Sequence, residues 1–249
     1  MSAELDAMRV VVTSPSAAGA EITELLAERG ASVIPLPVFE IVEPSSWTAL
    51  DSALERLEDF TWLLLTSRNA VAGFVDRAGD RILPGDLKIG AVGTSTAADA
   101  EAAGLEVDLV PTAFTGAALA AAIGEPDGAV LIARVEDGPP ETPAVLRERG
   151  WAVEEVPVYR NLPLDPALAE IAVVRAGDFD AVTLMSPSAA RGFARVMGEV
   201  PLPEGALVAC IGPMTAQGAE AAGLWVDVVA PTHTAAGLVE ALAAIRPSE

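Results

Sequence analysis

Short apolar runs alternate with amphipathic segments along the chain. Residues 8–13 and 62–66 are compact apolar runs of the length expected for buried strands. Residues 17–29 place Ile22, Leu25 and Leu26 on one face at helical spacing, and Gly30 marks the end of this helix. Strands that alternate with helices are typical of an α/β protein with parallel sheets.

Further elements follow from the same pattern. The predicted strands are residues 32–39, 88–92, 106–110 and 130–134, and the predicted helices are residues 49–57, 95–103, 115–123 and a segment from about Asn69. The first of these strands contains Pro35 and Pro37, and each proline removes a donor from a strand ladder. We therefore expect this strand at a sheet edge or in a connection.

Three blocks of sequence occur twice, in the same order and 119 or 120 residues apart. The pairs are ERGASVIPLPVF (28–39) with ERGWAVEEVPVY (148–159), LTSRNAVAGF (65–74) with LMSPSAARGF (184–193), and GTSTAADAEAAGLEVDLV (93–110) with GPMTAQGAEAAGLWVDVV (212–229). This constant offset predicts a tandem duplication of about 120 residues. Two similar lobes usually form a ligand cleft, and ligands of open α/β sheets bind beyond the carboxyl ends of strands.

Composition and net charge limit the kinds of molecule that the chain is expected to bind. The chain has 249 residues, of which 51% are hydrophobic, so it can bury a core in one large or two modest domains. Its 15 Lys and Arg residues against 36 Asp and Glu residues give a formal charge of −21 at pH 7. Nucleic acids and anionic membranes attract basic surfaces, so neither is expected as a partner.

Several chemistries lack the residues that they need. Cys210 is the only cysteine and His233 the only histidine, so we expect no intrachain disulfide, metal cluster or Ser–His–Asp triad. Cys210 is expected in the core, and His233 in a structural or surface role. The sequence lacks the glycine-rich phosphate loops and zinc-hydrolase motifs. An acidic start and the lack of an apolar run of bilayer length predict a cytoplasmic protein.

Turns rich in glycine and small hydroxyl residues follow the predicted strands and precede helices. They are Thr13-Ser14-Pro15-Ser16, Thr66-Ser67-Arg68-Asn69, Gly93-Thr94-Ser95-Thr96, Ser186-Pro187-Ser188 and Gly212-Pro213-Met214-Thr215. Such turns present N–H groups at the positive end of a helix, which suits carboxylates and phosphates. Helix capping explains any single turn. Five of them in a duplicated protein favour a site that several turns form together.

Tyr159 is the only tyrosine, and it ends a repeated block in which the first copy has Phe39. Packing explains an aromatic ring at both positions. The hydroxyl occurs in the second copy alone, where it is a candidate weak acid or hydrogen-bond donor. Glu136 and Asp137, which follow a predicted strand, are expected in a solvated turn.

The chain resembles the uroporphyrinogen-III synthase family from Met8 to about Leu242. The resemblance rests on the TSRNAV turn after WLLL, the VGTSTA turn with its AAGLEVDLVP continuation, ERGWAVEEVPVYRN, SPSAARGF and IGPMTAQGAEAAGL. Each motif is weak alone, but their order, their spacing and the total length are specific.

This resemblance implies two flavodoxin-like parallel-sheet lobes joined by a two-stranded connector, with segments exchanged between the sequence repeats. Residues 1–38 and 163–249 would form the first lobe, and residues 39–162 the second. Residues 35–39 and 157–159 would lie where the chain crosses between the lobes.

The resemblance also implies a reaction. The family cyclises the linear tetrapyrrole hydroxymethylbilane, with loss of water and inversion of ring D, through an azafulvene and a spiro intermediate. No metal or cofactor takes part. The substrate closes unaided to the uninverted isomer, so the enzyme selects a path by holding the substrate and stabilising charge. The implied partners are this substrate and, transiently, the upstream enzyme that makes it, and a monomer is expected.

The site residues of the family match the strand-end turns. Tyr159 matches the tyrosine proposed in the family to assist departure of the hydroxyl. The implied substrate-binding residues are Thr66, Ser67, Asn69, Thr96, Ser186, Ser188, Gly212 and Thr215. Arg68 and Arg134 stand near predicted strand ends and are candidates for charge-assisted contacts with substrate carboxylates.

Two departures from the family pattern remove positive charge near the expected site. Many relatives have an arginine where this chain has Ser14, and an arginine-containing loop where it has residues 136–140. Two other functions therefore stay open. One is a non-catalytic two-lobed paralogue that binds a tetrapyrrole or another anion. The other is an unrelated two-lobed protein that binds a small anion or a sugar phosphate.

Overall fold

The computed structural model describes residues 5–14 and 17–245. The chain forms two compact units, unit 1 (Met1–Ile41 with Asn161–Glu249) and unit 2 (Val42–Arg160). Unit 1 is discontinuous in sequence because unit 2 lies between its two segments. The sequence placed the two boundaries after residues 38 and 162.

Unit 1 alternates strands with helices, numbered here along the whole chain. Its strands are β1 (Arg9–Val12), β2 (Ser32–Pro35), β8 (Ala181–Leu184), β9 (Leu207–Cys210) and β10 (Val228–Val229), and its helices are α1 (Ala17–Glu28), α7 (Leu168–Arg175), α8 (Pro187–Met197), α9 (Pro213–Ala221) and α10 (Ala235–Ile245). The strands form a parallel sheet in the order β10-β9-β8-β1-β2. Counted within the unit, this is the order 2-1-3-4-5 of flavodoxin-like folds.

Unit 2 also alternates strands with helices. Its sheet contains β3 (Phe39–Val42), which begins in unit 1, β4 (Phe60–Leu65), β5 (Lys88–Ala91), β6 (Ala129–Val135) and β7 (Ala152–Pro163), which ends in unit 1. Its helices are α2 (Thr48–Leu54), α3 (Arg68–Ala78), α4 (Thr94–Ala102), α5 (Gly116–Ala122) and α6 (Glu141–Glu148), with a 3-10 turn at Leu57–Asp59. The sheet order is β3-β7-β6-β4-β5. The chain passes between the units within β3 and within β7, so these adjacent strands form a two-stranded connector.

The two units exchange segments of the sequence repeat. In unit 1, β1 of the first copy pairs with β8 of the second copy, and Val11 lies opposite Val182. In unit 2, β4 of the first copy pairs with β6 of the second copy. The predicted α/β fold of parallel sheets, with exchanged segments, is confirmed.

Edge strands show where the sequence prediction succeeded and where it failed. The proline-bearing strand is confirmed at a sheet edge, since β2 is the outermost strand of its sheet. Its predicted extent is wrong, because the strand ends at Pro35 and a new strand starts at Phe39. None of the described helices is long and apolar enough to cross a membrane.

The predicted strand at residues 106–110 is wrong. In the described structure this segment forms an isolated bridge between Leu109 and Gly90 rather than a strand. The side-chain carboxylate of Asp108 accepts the Ile89 N–H at 2.7 Å. The second copy has the same bond, from the Val208 N–H to Asp227 at 2.8 Å. This repeated aspartate therefore has a structural role.

Each sheet buries a separate apolar cluster on each face. Two helix glycines at the same position of the repeat allow close packing against the chain near the crossings. A Cβ atom at Gly73 of α3 would collide with the Val158 carbonyl, and one at Gly192 of α8 would collide with the Val38 side chain. This packing places the first turns of α3 and α8 at the carboxyl ends of their sheets.

Candidate functional site

Four of the five predicted turns lie at the carboxyl ends of strands. Residues 66–69 follow β4, residues 93–96 follow β5, residues 186–188 follow β8 and residues 212–215 follow β9. The fifth turn, residues 13–16, lies partly outside the described residues, because Pro15 and Ser16 fall in the gap. The turns therefore form one group in each unit.

Serine side chains cap α3 and α8. The Ser67 Oγ accepts the Ala70 N–H at 3.0 Å, and the Ser186 Oγ accepts the Ala189 N–H at 3.1 Å. The capping interpretation is confirmed at both serines. Each cap satisfies one of the helix amides that have no intrahelical partner.

Glycines begin the other two helices of the group. Gly93 precedes α4 and Gly212 precedes α9, and neither helix has a side-chain cap at that residue. Without a capping side chain, the free amides at these helix starts suit a ligand carboxylate better than those of α3 and α8, but α9 offers fewer because its first residue, Pro213, has no N–H. Thr96 and Thr215, the third residues of α4 and α9, are only 5% and 3% exposed. Both threonines are therefore buried, and the Thr215 N–H already donates to the Gly212 carbonyl at 3.1 Å.

Tyr159 contacts the turn at residues 66–69 in unit 2. Its hydroxyl lies 3.1 Å from the Ser67 Oγ. Burial raises the pKa of the Tyr159 phenol above its ordinary value of 10.0, while the bonds to Ser67 and Asn69 and the charge of Arg134 act to lower it. At neutral pH the phenol is therefore protonated and able to donate its proton.

A break in strand register helps to place this phenol. Arg134 lies opposite Pro157, but the next residue, Val135, lies opposite Tyr159, so β7 has an extra residue at Val158. Such bulges change the direction of the side chains that follow. The backbone continues to pair beyond the bulge, because the Glu136 N–H donates to the Tyr159 carbonyl at 2.8 Å.

Arg134 is held within unit 2. Its side chain is 9% exposed, and its Nη1 lies 2.5 Å from the Glu155 Oε2. Its Nη2 donates to the Pro139 carbonyl at 2.5 Å, which ties down the loop that lacks an arginine of its own. Arg147 donates to the other Glu155 oxygen at 2.8 Å. The structure therefore gives Arg134 a role in holding the loop after β6.

Arg68 also has a protein partner. Its guanidinium forms two hydrogen bonds with the Asp99 carboxylate of α4, at 2.6 and 3.2 Å. The two side chains are 38% and 36% exposed. The pair joins the first residue of α3 to the middle of α4, so a substrate carboxylate would compete with Asp99 for this arginine. Thr66 likewise has a local partner, since its hydroxyl donates to the Ala133 carbonyl at 3.0 Å.

The unit 1 group is built around Ser188. The Ser188 Oγ accepts hydrogen bonds from the Asn161 Nδ2 at 3.2 Å and from the Arg191 Nη2 at 3.1 Å. The Asn161 Oδ1 is buried and has no hydrogen-bond partner among the described residues. At the neighbouring turn, the His233 ring packs so that a Cβ atom at Gly212 would lie 3.2 Å from it.

Two other sequence expectations concern Cys210 and metal binding. Cys210 is fully buried in the core, as predicted, and burial raises the pKa of its thiol to about 12. Among residues 5–14 and 17–245, no three His, Cys, Asp or Glu side chains are grouped so that they could hold a metal ion.

Sequence reasoning missed Asp99, Glu155 and Asn161, which are partners of predicted site residues. A signal for Asp99 exists in the repeat: Arg68 and Asp99 are replaced together by Pro187 and Gly218 in the second copy. These replacements are also in contact, because a Cβ atom at Gly218 would lie 2.8 Å from the Pro187 Cβ.

Comparisons with known proteins agree with this architecture. A family model described as uroporphyrinogen-III synthase HemD matches residues 20–240. The uroporphyrinogen-III synthase of Synechococcus elongatus is 30% identical over 250 residues, which cover 94% of this chain and 93% of that protein. The porphyrin biosynthesis protein HemD of Ruminiclostridium josui is 29% identical over 229 residues, which cover 88% of this chain. The chain spans 45% of the length of that second relative.

Solved structures share the fold. A mutant uroporphyrinogen III synthase from the extremely thermophilic bacterium Thermus thermophilus matches with a TM-score of 0.69 at 20% identity, covering 94% of this chain and 96% of that one. Uroporphyrinogen-III synthetase from Helicobacter pylori matches with a TM-score of 0.62 at 17% identity, covering 96% and 99%. The family model covers most of the sequence, and a relative at 30% identity covers it almost completely. The chain therefore belongs to the uroporphyrinogen-III synthase family.

Proposed function

We propose that this protein cyclises hydroxymethylbilane to uroporphyrinogen III, with inversion of ring D and loss of one water. The observation that carries the proposal is the Tyr159 phenol, held at 3.1 Å from Ser67 at the carboxyl end of the unit 2 sheet. The family has a tyrosine in this role, and the first copy of the repeat has Phe39 at the same position. The hydroxyl is therefore an addition that packing does not require.

In the proposed mechanism, Tyr159 acts as a general acid in the first step. The C–O bond of the terminal hydroxymethyl group breaks, and the lone pair of the adjoining pyrrole nitrogen supplies the electrons. The phenol gives its proton to the departing hydroxyl, which leaves as water. A protonated azafulvene (azafulvenium) cation and a tyrosine phenolate remain, so the charges balance.

Ring closure follows without a further reagent. The terminal pyrrole attacks the azafulvene carbon through its substituted ring carbon and forms a spiro intermediate. One bond of this intermediate breaks and the ring closes again in the opposite sense, so ring D is inverted. The proton lost when the pyrrole regains aromaticity returns to the phenolate, and the net products are the macrocycle and one water.

The glycine turns are the proposed carboxylate sites. Gly93 and Gly212 begin helices without a side-chain cap, and the positive end of each helix attracts anions. Each such end contributes about 0.3–1 kcal/mol to binding a negative group. Several weak sites can together hold a bilane with eight carboxylates, and they would hold it in one folded geometry.

The test is a coupled assay in which the upstream enzyme generates hydroxymethylbilane in situ. The products are oxidised, and the type I and type III isomers are separated by chromatography. Predominantly type III product supports the proposal, with heat-denatured protein as the control for spontaneous closure. Type I product alone, from folded protein, would favour the non-catalytic binding paralogue. Ser14 and residues 136–140 would then be the first positions at which to restore arginine.

We also propose that the protein acts as a cytoplasmic monomer in transient contact with the bilane-forming enzyme. Hydroxymethylbilane closes by itself, so direct transfer would limit loss to the type I isomer. The measurement is sedimentation of the two proteins separately and together. A stable dimer of this chain would contradict the monomer.

A further inference from the structure

We propose that Ser67 and Asn69 are positioning residues for Tyr159, and that Ser67 donates its hydroxyl hydrogen to the phenol oxygen. This assignment rests on the proposed function. It changes the expected role of both residues from binding the substrate to controlling the proton of the Tyr159 phenol. Two donors on the phenol oxygen would leave the phenol's own hydrogen directed at a substrate oxygen.

The helix cap constrains the Ser67 hydroxyl. Its oxygen accepts the Ala70 N–H at 3.0 Å, while the backbone at Ser67 is extended, with φ −169° and ψ 165°. A hydroxyl has one hydrogen to donate. With its oxygen already accepting from the helix, that hydrogen is available to the Tyr159 oxygen 3.1 Å away.

Asn69 lies two residues after Ser67, and its side chain also acts to lower the pKa of the Tyr159 phenol. Its side-chain amide carries two donor hydrogens. Both residues belong to the first turn at the start of α3, an 11-residue helix whose positive end favours a negative oxygen. This arrangement would stabilise the phenolate that forms when Tyr159 gives up its proton.

The charged groups around the phenol are paired with one another. Arg134 of β6 lowers the pKa of Tyr159, and it is bonded to Glu155 of β7. At the start of α3, Arg68 is bonded to Asp99 of α4. The hydrogen bonds to Ser67 and Asn69 can therefore be removed without breaking an ion pair or changing the net charge.

The second copy of the repeat has a serine that caps a helix but has no phenol to contact. Ser186 caps α8 as Ser67 caps α3, with its Oγ accepting the Ala189 N–H at 3.1 Å. In unit 1, however, the position of Tyr159 is occupied by Phe39. The cap is thus common to both units, and the contact with a phenol is specific to unit 2.

Tyr159 is the only tyrosine, so its titration can be followed without interference from another phenol. The protein is labelled with 3-fluorotyrosine, whose phenol is more acidic and titrates while the fold persists. The fluorine resonance and the tyrosinate absorbance are recorded against pH, and circular dichroism checks the fold at each point. The variants are Ser67→Ala, Asn69→Leu and Ser67→Thr.

We expect Ser67→Ala and Asn69→Leu each to raise the phenol pKa by about one unit, because each removes a donor from the phenolate. Ser67→Thr retains the hydroxyl and should keep the wild-type value. Thr115→Ala is the matched control. It removes the cap of α5 in the same unit, a 3.1 Å bond from the Ala118 N–H, and should leave the pKa unchanged.

Two results would overturn the proposal. A fall in the pKa of Ser67→Ala would mean that the phenol donates to the serine. If the phenol pKa shifts no more in Ser67→Ala than in Thr115→Ala, the contact between Ser67 and Tyr159 does not control the phenol proton. The titration needs no bilane, so it is independent of the isomer assay. If wild-type protein makes only type I product while the shifts occur, the hydrogen-bond assignment stands and the proposed function fails.

Discussion

At position 159 the second copy of the repeat carries a phenol where the first copy carries the phenyl ring of Phe39. Both residues lie where the chain approaches a crossing between the units, and both follow a valine that packs against a helix glycine. The ring is therefore part of the fold in each unit. The oxygen of Tyr159 can be removed with little effect on packing.

Tyr159→Phe should keep its melting temperature within a few degrees of wild type and lower kcat about a hundredfold. A positioned acid contributes about 10²–10⁴-fold, and substrate holding by the turns should preserve the remaining activity. Steady-state kinetics with separation of the isomers measures the effect. Wild-type turnover in this variant would exclude the acid role.

Single residues also show why part of the site escaped prediction. The turns placed Ser67 and Asn69 after a strand, and the repeat singled out the hydroxyl of Tyr159. The hydrophobic pattern could not show that Arg68 and Arg134 have protein partners, because Asp99 and Glu155 are 31 and 21 residues away. Residues this far apart in sequence come into contact only because the order of strands in the sheet brings their elements together.

At the scale of elements, α3 and α8 depend on close approach to the backbone near the crossings. Gly73 and Gly192 occupy the same position in the two copies, and a side chain at either would collide with Val158 or Val38. Alanine usually favours a helix over glycine by about 1 kcal/mol. Here the collision opposes that gain, since the carbonyl at Val158 cannot move without disturbing β7.

Gly73→Ala should therefore lower the free energy of unfolding by about 1–3 kcal/mol, the usual cost of overpacking. Urea unfolding followed by circular dichroism measures it. Gly85→Ala is the matched control, because a Cβ atom there meets nothing within 4 Å, and its stability should stay near the wild-type value. Equal midpoints for the two variants would contradict the close approach.

Elements with strong periodicity were predictable, and weak edge elements were not. The buried runs that form β4 and β6 were apolar enough to identify strands within two residues of their observed limits. Residues 106–110 also look like a strand, but their pairing is limited to a single bridge at Leu109. The hydrophobic pattern does not show how many residues of an edge segment pair with the sheet.

On the scale of the whole molecule, charge acts against the proposed substrate. A protein at −21 repels a bilane with eight carboxylates over long distances. Short-range binding at helix starts can succeed only after the substrate has crossed this repulsive field. Added salt shortens the range of the repulsion, to about 10 Å at 0.1 M ionic strength.

We therefore expect kcat/KM to rise several-fold as sodium chloride is increased from about 0.01 M to about 0.1 M, where the screening length falls from about 30 to about 10 Å. Initial rates at limiting bilane, corrected for spontaneous closure at each salt concentration, measure the effect. A steady fall over this range would show that local positive groups, rather than the net charge, control association.

The discontinuity of unit 1 has a consequence for the order in which a ribosome would make its parts. β1 is translated before unit 2, but its partner β8 lies about 170 residues later, as the bond from the Thr13 hydroxyl to the Thr183 carbonyl shows. Unit 2 is contiguous and can fold during that interval. One edge of β1 can pair with β2 beforehand, but the other edge stays unpaired until β8 has been made. A strand that is translated before unit 2 thus completes its pairing only after unit 2.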